Sequence, residues 1–276
     1  MNQVINKKKN DVVPFDMEQY AGMGLENIDA SSIKLPLMKI LYSENEVLDD
    51  TSPKYNSKAK AGDFYNSITS NVYSGKTGML VVPCYFVPTW VEWEPMEKAN
   101  STGRPVNIYY DNKVFLTTKK EGSKDYLPNG NYIEASGNHF CMIVDDNYNP
   151  IENVIIIMKS TQKTKSNEWN SMTSAQKIPN PKQAGKFIQL ASFMQVYRLQ
   201  TSKEKNKKGQ SWWGYQMKLE KLLTTSEYES VVQQGAEFYQ SVNNKNILGD
   251  SIENDADSSS PKQSAKKGLD EEDTPF

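Results

Sequence analysis

Two prolines, Pro83 and Pro88, lie five residues apart inside an apolar run, and they constrain this chain more than any other feature. They interrupt Met79–Val87 and Thr89–Glu94, segments rich in Val, Tyr, Phe and Trp. A helix does not survive two interior prolines, whereas strands accept them at edges and bulges. β-Branched and aromatic residues favour the same state. The run is therefore read as strand, and its neighbours agree. Gly62–Thr69, the turn Ser70-Asn71 and Val72-Tyr73 read as a hairpin. Strands recur at His139–Val144 and Asn153–Lys159, joined by Asp145-Asp146-Asn147. Phe193–Thr201 and Ser211–Leu222 form a further hairpin across the basic loop Lys203–Gly209. Pro36 makes the apolar segment Ile33–Tyr42 either extended or the start of a helix.

Helical signals are few. Asp16–Leu25 has room for a turn or two, and Ser166 is a candidate N-cap for a short helix to Gln176 that Pro179 and Pro181 terminate. Ser226–Val242 reads as a helix with Tyr228, Val231, Val232, Phe238 and Tyr239 near one face. Residues 95–137 are polar and turn-rich, an insertion with one weak strand at Lys113–Lys119. Residues 1–14 are a polar arm carrying Lys7, Lys8 and Lys9, and from 243 to 276 Asp, Ser, Lys and Gly dominate, the composition of a disordered tail. The expected fold is mainly β: an OB-like, partly open β-barrel over residues 15–242, with insertions and short helices. No apolar run approaches the ~18 residues of a membrane span, and the N-terminus lacks an apolar signal core. Cys84 and Cys141 are too few for a disulfide framework and fit a reducing compartment such as a cytoplasm.

Candidate catalytic and metal-binding residues do not assemble into a set. Gly75-Lys76-Thr77 matches the end of a phosphate-binding loop, but the Gly required five residues before Gly75 is Ser70, and the flanks are hairpin strands. A plain turn is the simpler reading. His139 and Cys141 share a strand face, yet zinc needs about four ligands and Cys84 stands apart. A satisfied His and an apolar-packed Cys explain them. Asp49-Asp50 and Asp145-Asp146 fall in turns, and Glu92 with Glu94 fits the solvated face of a strand beside Trp90 and Trp93. The chain reads as a non-enzyme without cofactor or metal.

Charge is where the sequence departs from the ordinary. The chain has 32 basic and 34 acidic residues for a net −2, but residues 159–208 hold 11 basic and 2 acidic side chains, for +9. Such segregation is the footprint of a polyanion-binding surface. Lys159, Lys163, Lys165, Lys177, Lys182, Lys186, Arg198, Lys203, Lys205, Lys207 and Lys208 supply charge for phosphates. Trp169, Tyr197, Trp212, Trp213 and Tyr215 offer flat faces for unpaired bases. Ser160, Thr161, Gln162, Thr164 and Asn170 offer polar contacts to phosphate and sugar. Ten of the eleven cations are Lys, which favours point-charge contact with a backbone over bidentate reading of guanine. Neighbours on a strand point to opposite faces, so one of Trp212 and Trp213 is expected to reach DNA. The inference is sequence-independent binding of single strands.

The segment Asp270-Glu271-Glu272-Asp273-Thr274-Pro275-Phe276 sharpens that inference. It resembles the acidic Pro-Phe tip of bacterial single-stranded DNA-binding proteins and of their tailed-phage counterparts. The length, the insertion and the segment Met158–Asn170 look more like the phage-encoded proteins of this class. The resemblance implies a barrel that coats exposed strands during DNA replication, recombination and repair in the host cytoplasm. It also implies that Asp270, Glu271, Glu272, Asp273, Pro275 and Phe276 dock on a partner polymerase, helicase, recombinase or nuclease. Monomer and homodimer both stay open. The competing reading is a structural or virion-associated β protein whose basic patch contacts DNA or another subunit.

Overall fold

The computed structural model describes residues 23–25, 34–95, 103–207 and 209–243. The chain divides into two units, residues 1–34 and 35–276. Of the first, Met23–Leu25 forms a tight turn with Gly24 at φ +84°. The rest of the expected helix, the arm at 1–14 and the tail from residue 244 lie outside the described residues.

In the second unit the strands are β1 (Met38–Ile40), β2 (Phe64–Asn66), β3 (Val72–Tyr73), β4 (Met79–Trp93), β5 (Pro105–Tyr109), β6 (Lys119–Glu121), β7 (Lys124–Tyr126), β8 (Tyr132–Val144) and β9 (Pro150–Lys159). Helix α1 (Gln162–Ser174) follows, then β10 (Lys177–Pro179), β11 (Phe187–Gln189), β12 (Gln195–Lys205), β13 (Ser211–Leu222) and helix α2 (Glu229–Asn243). Among the described residues the fold is mainly β and antiparallel, with no closed sheet.

The proline-bearing run is one 15-residue strand, β4, paired with β8 along its length. Its other edge takes β12 at Met79–Val81 and β5 at Trp90–Trp93. Pro83 and Pro88 fall in the stretch between those partners, and a bulge sits at Pro83–Tyr85. A proline has no N–H to donate, so it belongs where a ladder is missing.

Around this spine the chain wraps most of a barrel. β9 pairs with β8, and Leu37, just before β1, makes a parallel bridge to Ile155 of β9. β1, β2 and β3 form a small sheet. That sheet returns to β12 through a tight seam: Thr201 N donates to the Gly75 carbonyl at 2.9 Å and Thr201 Oγ1 to the Gly62 carbonyl at 2.6 Å. A Cβ at Gly75 would collide with the Gly62 carbonyl, so only glycine closes the seam. Gly75-Lys76-Thr77 is therefore a turn between β3 and β4, as its flanks indicate.

The barrel interior holds Met38, Ile40, Phe64, Met79, Val81, Cys141, Ile143, Val154, Ile156, Met158, Tyr197 and Leu199. The opposite faces of the same strands (Leu80, Val82, Phe140, Met142, Val144, Ile155) lie under α2, which contributes Val231, Phe238 and Val242. Those three recur at helical spacing, and each such burial stabilises by roughly 1.5–3 kcal/mol. Glu152 pins the β2–β3 hairpin to β9 by accepting from Asn66, Thr69, Asn71 and Tyr73, the last at 2.6 Å.

Two expectations are corrected. Lys113–Lys119 is not a strand: Asn112–Leu116 is a 3-10 helix whose first turn is capped by Asp111 accepting from Lys113 N at 2.9 Å. The insertion is not a single weak strand either, since β5, β6, β7 and the start of β8 all belong to the main sheet.

Candidate nucleic-acid interface

The basic segment folds into α1, the β10–β11 ribbon and the β12–β13 hairpin. Helix α1 starts at Gln162, four residues before the expected cap, and buries Gln162, Ser166 and Trp169 on one stripe. This stripe is polar apart from its tryptophan, so hydrophobic periodicity does not reveal it. Ser166 is a mid-helix residue, and its hydroxyl sits 2.8 Å from His139 Nε2. Gly137 is what lets the helix approach, because a Cβ there would strike the Ser166 hydroxyl.

Most cations of the segment stand at the surface. Lys177, Lys182 and Lys186 are exposed on the β10–β11 ribbon, and Lys203, Lys205 and Lys207 are exposed at the tip of β12–β13. The tip is more strand than the sequence indicates, since β12 continues through Lys205. Lys208 lies outside the described residues. The segment's two acids are both turned to Lys165, with Glu168 at 3.7 Å and Glu204 at 3.9 Å. Glu204 also accepts from Trp212 Nε1 at 2.9 Å. Local acids thus leave the ribbon and the tip positive. Arg198 is different: its guanidinium forks onto Glu220 at 3.1 and 3.2 Å. That hydrogen-bonded pairing holds the Glu220 carboxyl below its ordinary value. Arg198 is thereby removed from the candidate phosphate contacts.

The aromatic set needs a larger correction. Trp169 is 1% exposed, stacked on His139 at 4.5 Å and edge-on to Tyr197 at 5.8 Å. Tyr197 is fully buried, with its hydroxyl donating to Gln195 Oε1 at 2.8 Å. Tyr215 is buried against Phe64, ring centroids 6.0 Å apart. These three fill the barrel, so no base can reach their faces. Trp213 is half-buried on the inner side, its ring over Gly62. Trp212 stands half-buried on the opposite face of β13, as alternation along a strand requires. Among the polar candidates Gln162 is committed, accepting from Tyr215 N at 3.0 Å. Ser160, Thr161 and Thr164 are exposed and Asn170 is half-buried.

The structure adds aromatics that the sequence reading passed over. Lys163 Nζ lies 5.9 Å from the Phe86 ring centroid, and Lys159 Nζ lies 5.3 Å from that of Trp93. Partial burial lowers the Lys163 pKa. Phe86 and Trp93 belong to β4, far from the basic segment in sequence, so no local pattern marks them. Phe187, on β11, is 67% exposed.

Four of the residues weighed for chemistry, His139, Cys84, Cys141 and Glu92, are buried. His139 is buried and held neutral, its pKa lowered to about 3 by burial and, secondarily, by Lys163. Burial pushes the Cys84 thiol up to about 12 and the Cys141 thiol higher than its ordinary value. Glu92 is not on a solvated face. It is buried and accepts from Asn131 at 2.6 Å, Tyr109 at 2.8 Å and Asn129 at 3.0 Å. Burial alone would raise its pKa, but these hydrogen bonds outweigh burial and hold it lower. Among the described residues no three of His, Cys, Asp and Glu gather to hold a metal ion.

The architecture at hand is an open, mainly β body with a cationic ribbon and hairpin tip on its surface. Residues 6–247 match the family model of the Pam3 phage gp34-like protein, and the chain belongs to this bacteriophage-related family. No curated protein and no solved structure matches it.

Proposed function

We propose that this chain is a non-enzymatic, sequence-independent single-stranded DNA-binding protein of a bacteriophage. The observation that carries the reading is the pairing pattern in the basic segment. Its two acids are turned to Lys165, while six lysines stand exposed on the β10–β11 ribbon and the β12–β13 tip. Lysines on short antiparallel elements suit a sugar–phosphate backbone and read no base edge. The open barrel-like body is compatible with an OB-fold, a class that binds single strands. In this reading the protein coats exposed strands during phage DNA replication or recombination in the host cytoplasm. Among the described residues no helix is long and apolar enough to cross a membrane. The segment Asp270–Phe276, which lies outside the described residues, recruits partner enzymes: its Phe fills an apolar pocket and its acids meet a basic rim.

A binding assay with matched single- and double-stranded pyrimidine-rich oligonucleotides at moderate salt tests this. Affinity for the single strand is expected to exceed that for duplex by about tenfold or more. Equal affinity for duplex would replace the reading with a DNA-packaging or virion-associated protein. Deleting Asp270–Phe276 should leave DNA affinity unchanged or slightly raised while abolishing capture of a replication partner.

A further inference from the structure

The β10–β11 ribbon pairs Lys177 with Gln189, Ile178 with Ile188 and Pro179 with Phe187. Directly opposed residues of an antiparallel pair share a face. Lys177, Pro179, Phe187 and Gln189 therefore line one side, and the two isoleucines the other. All four residues of the first side are exposed, Phe187 by 67%. The ribbon is well braced. Asn180 N donates to the Lys186 carbonyl at 2.8 Å, and the Asn180 side chain accepts from Lys182 N at 2.9 Å. Gly185, at φ +77°, completes the turn. At the root, Gln189 Nε2 donates to the Ser174 carbonyl and Leu190 N to the Gln176 carbonyl, each at 3.0 Å, and Leu190 is buried.

A braced ribbon that holds a benzyl ring in water has spent ordering energy on a group that contributes little to the core. The ring also has a definite electrostatic setting. Lys177 shares its side of the ribbon, Lys182 and Lys186 lie in the turn, and in the sequence no Asp or Glu occurs between Glu168 and Glu204. A flat apolar ring beside lysines that make no ion pair among the described residues matches a nucleotide that offers a base face and a phosphate together.

We infer that Phe187 is a base-stacking residue and that the β10–β11 ribbon is a finger for single-stranded DNA. The ring takes one unpaired base, and Lys177, Lys182 and Lys186 take the flanking phosphates. The inference rests on the single-strand reading above and deepens it by naming the platform. It also supplies a source of strand discrimination, because stacked bases inside a duplex leave no free face for Phe187.

The test uses the full chain and an oligothymidylate, with fluorescence anisotropy for affinity and thermal unfolding as a control. Phe187→Ala is expected to weaken binding by about tenfold or more at an unchanged unfolding midpoint. Phe187→Trp is expected to restore affinity, and the new indole's emission should be quenched as the oligonucleotide binds. Wild-type affinity in Phe187→Ala would overturn the assignment, as would a loss accompanied by a lowered unfolding midpoint. A wild-type chain that fails to bind oligothymidylate would remove the single-strand reading and this inference with it. A wild-type chain that binds beside an indifferent Phe187→Ala would remove the inference alone.

Discussion

Strand β8 and the β10–β11 ribbon use the same pairing chemistry to opposite ends. From Phe140 to Val144 every residue of β8 is buried, alternating between the barrel interior and the layer under α2. From residue 181 to 189 every residue of the ribbon and its turn is exposed. The contrast teaches that an aromatic in this chain takes its role from its face, not its type. Trp169 and Phe187 both lie in the acid-poor basic segment, yet one plugs a barrel and the other stands in water. A core aromatic should register in stability, and a ribbon aromatic in binding.

Replacing the plug breaks the comparison most forcefully if it fails. Trp169→Ala leaves a large void between His139 and Tyr197, and the expected loss is about 3–5 kcal/mol in chemical denaturation. DNA affinity of the molecules that remain folded should be unchanged. Full stability with lost binding would return Trp169 to the interface.

The neighbour of that plug yields a pH test of intermediate size. His139 titrates at about 3 when folded, against an ordinary value near 6.5. A lowered histidine value means that the unfolded chain takes up the proton first. Stability is therefore complete above pH ~6.5 and declines as pH falls toward the folded value. Between pH 6.5 and 5, above the ordinary titration of carboxylates, the decline is expected to be about 1.6 kcal/mol. His139→Gln should abolish the slope in that window, and a retained slope would assign it to other groups.

The smallest stability effect is expected at Arg198–Glu220. It is a partly exposed pair on the β12–β13 hairpin, and a double-mutant cycle should return about 1 kcal/mol or less. DNA affinity of Arg198→Ala should match wild type, since its charge is already matched.

The strand framework was legible because prolines, alternation and turn residues mark it: β4, the β2–β3 and β12–β13 hairpins and α2 all follow from such signals. The insertion was not, because β6 is an all-exposed Lys-Lys-Glu strand with no apolar face, and its place is set by pairing through β7 to β8. Positive charge in the site was legible as a count. Which aromatics reach solvent was not, since β13 carries aromatics on both faces and sequence does not say which face is covered. Phe86 and Trp93 meet Lys163 and Lys159 only through folding. Gln162 and Ser166 illustrate the same limit in α1, where a polar stripe is the buried one.

The central claim is that the unneutralised surface lysines contact the strand backbone, and its most direct test is the salt dependence of binding. In the full chain, log affinity for oligothymidylate should fall linearly with log salt. Replacing Lys177, Lys182 and Lys186 together with Ala should reduce that slope by about 2, at roughly 0.7 per phosphate contact on a single strand. Thermal stability should stay at the wild-type value. An unchanged slope and affinity in the triple variant would contradict the account and move the DNA contacts elsewhere on the molecule.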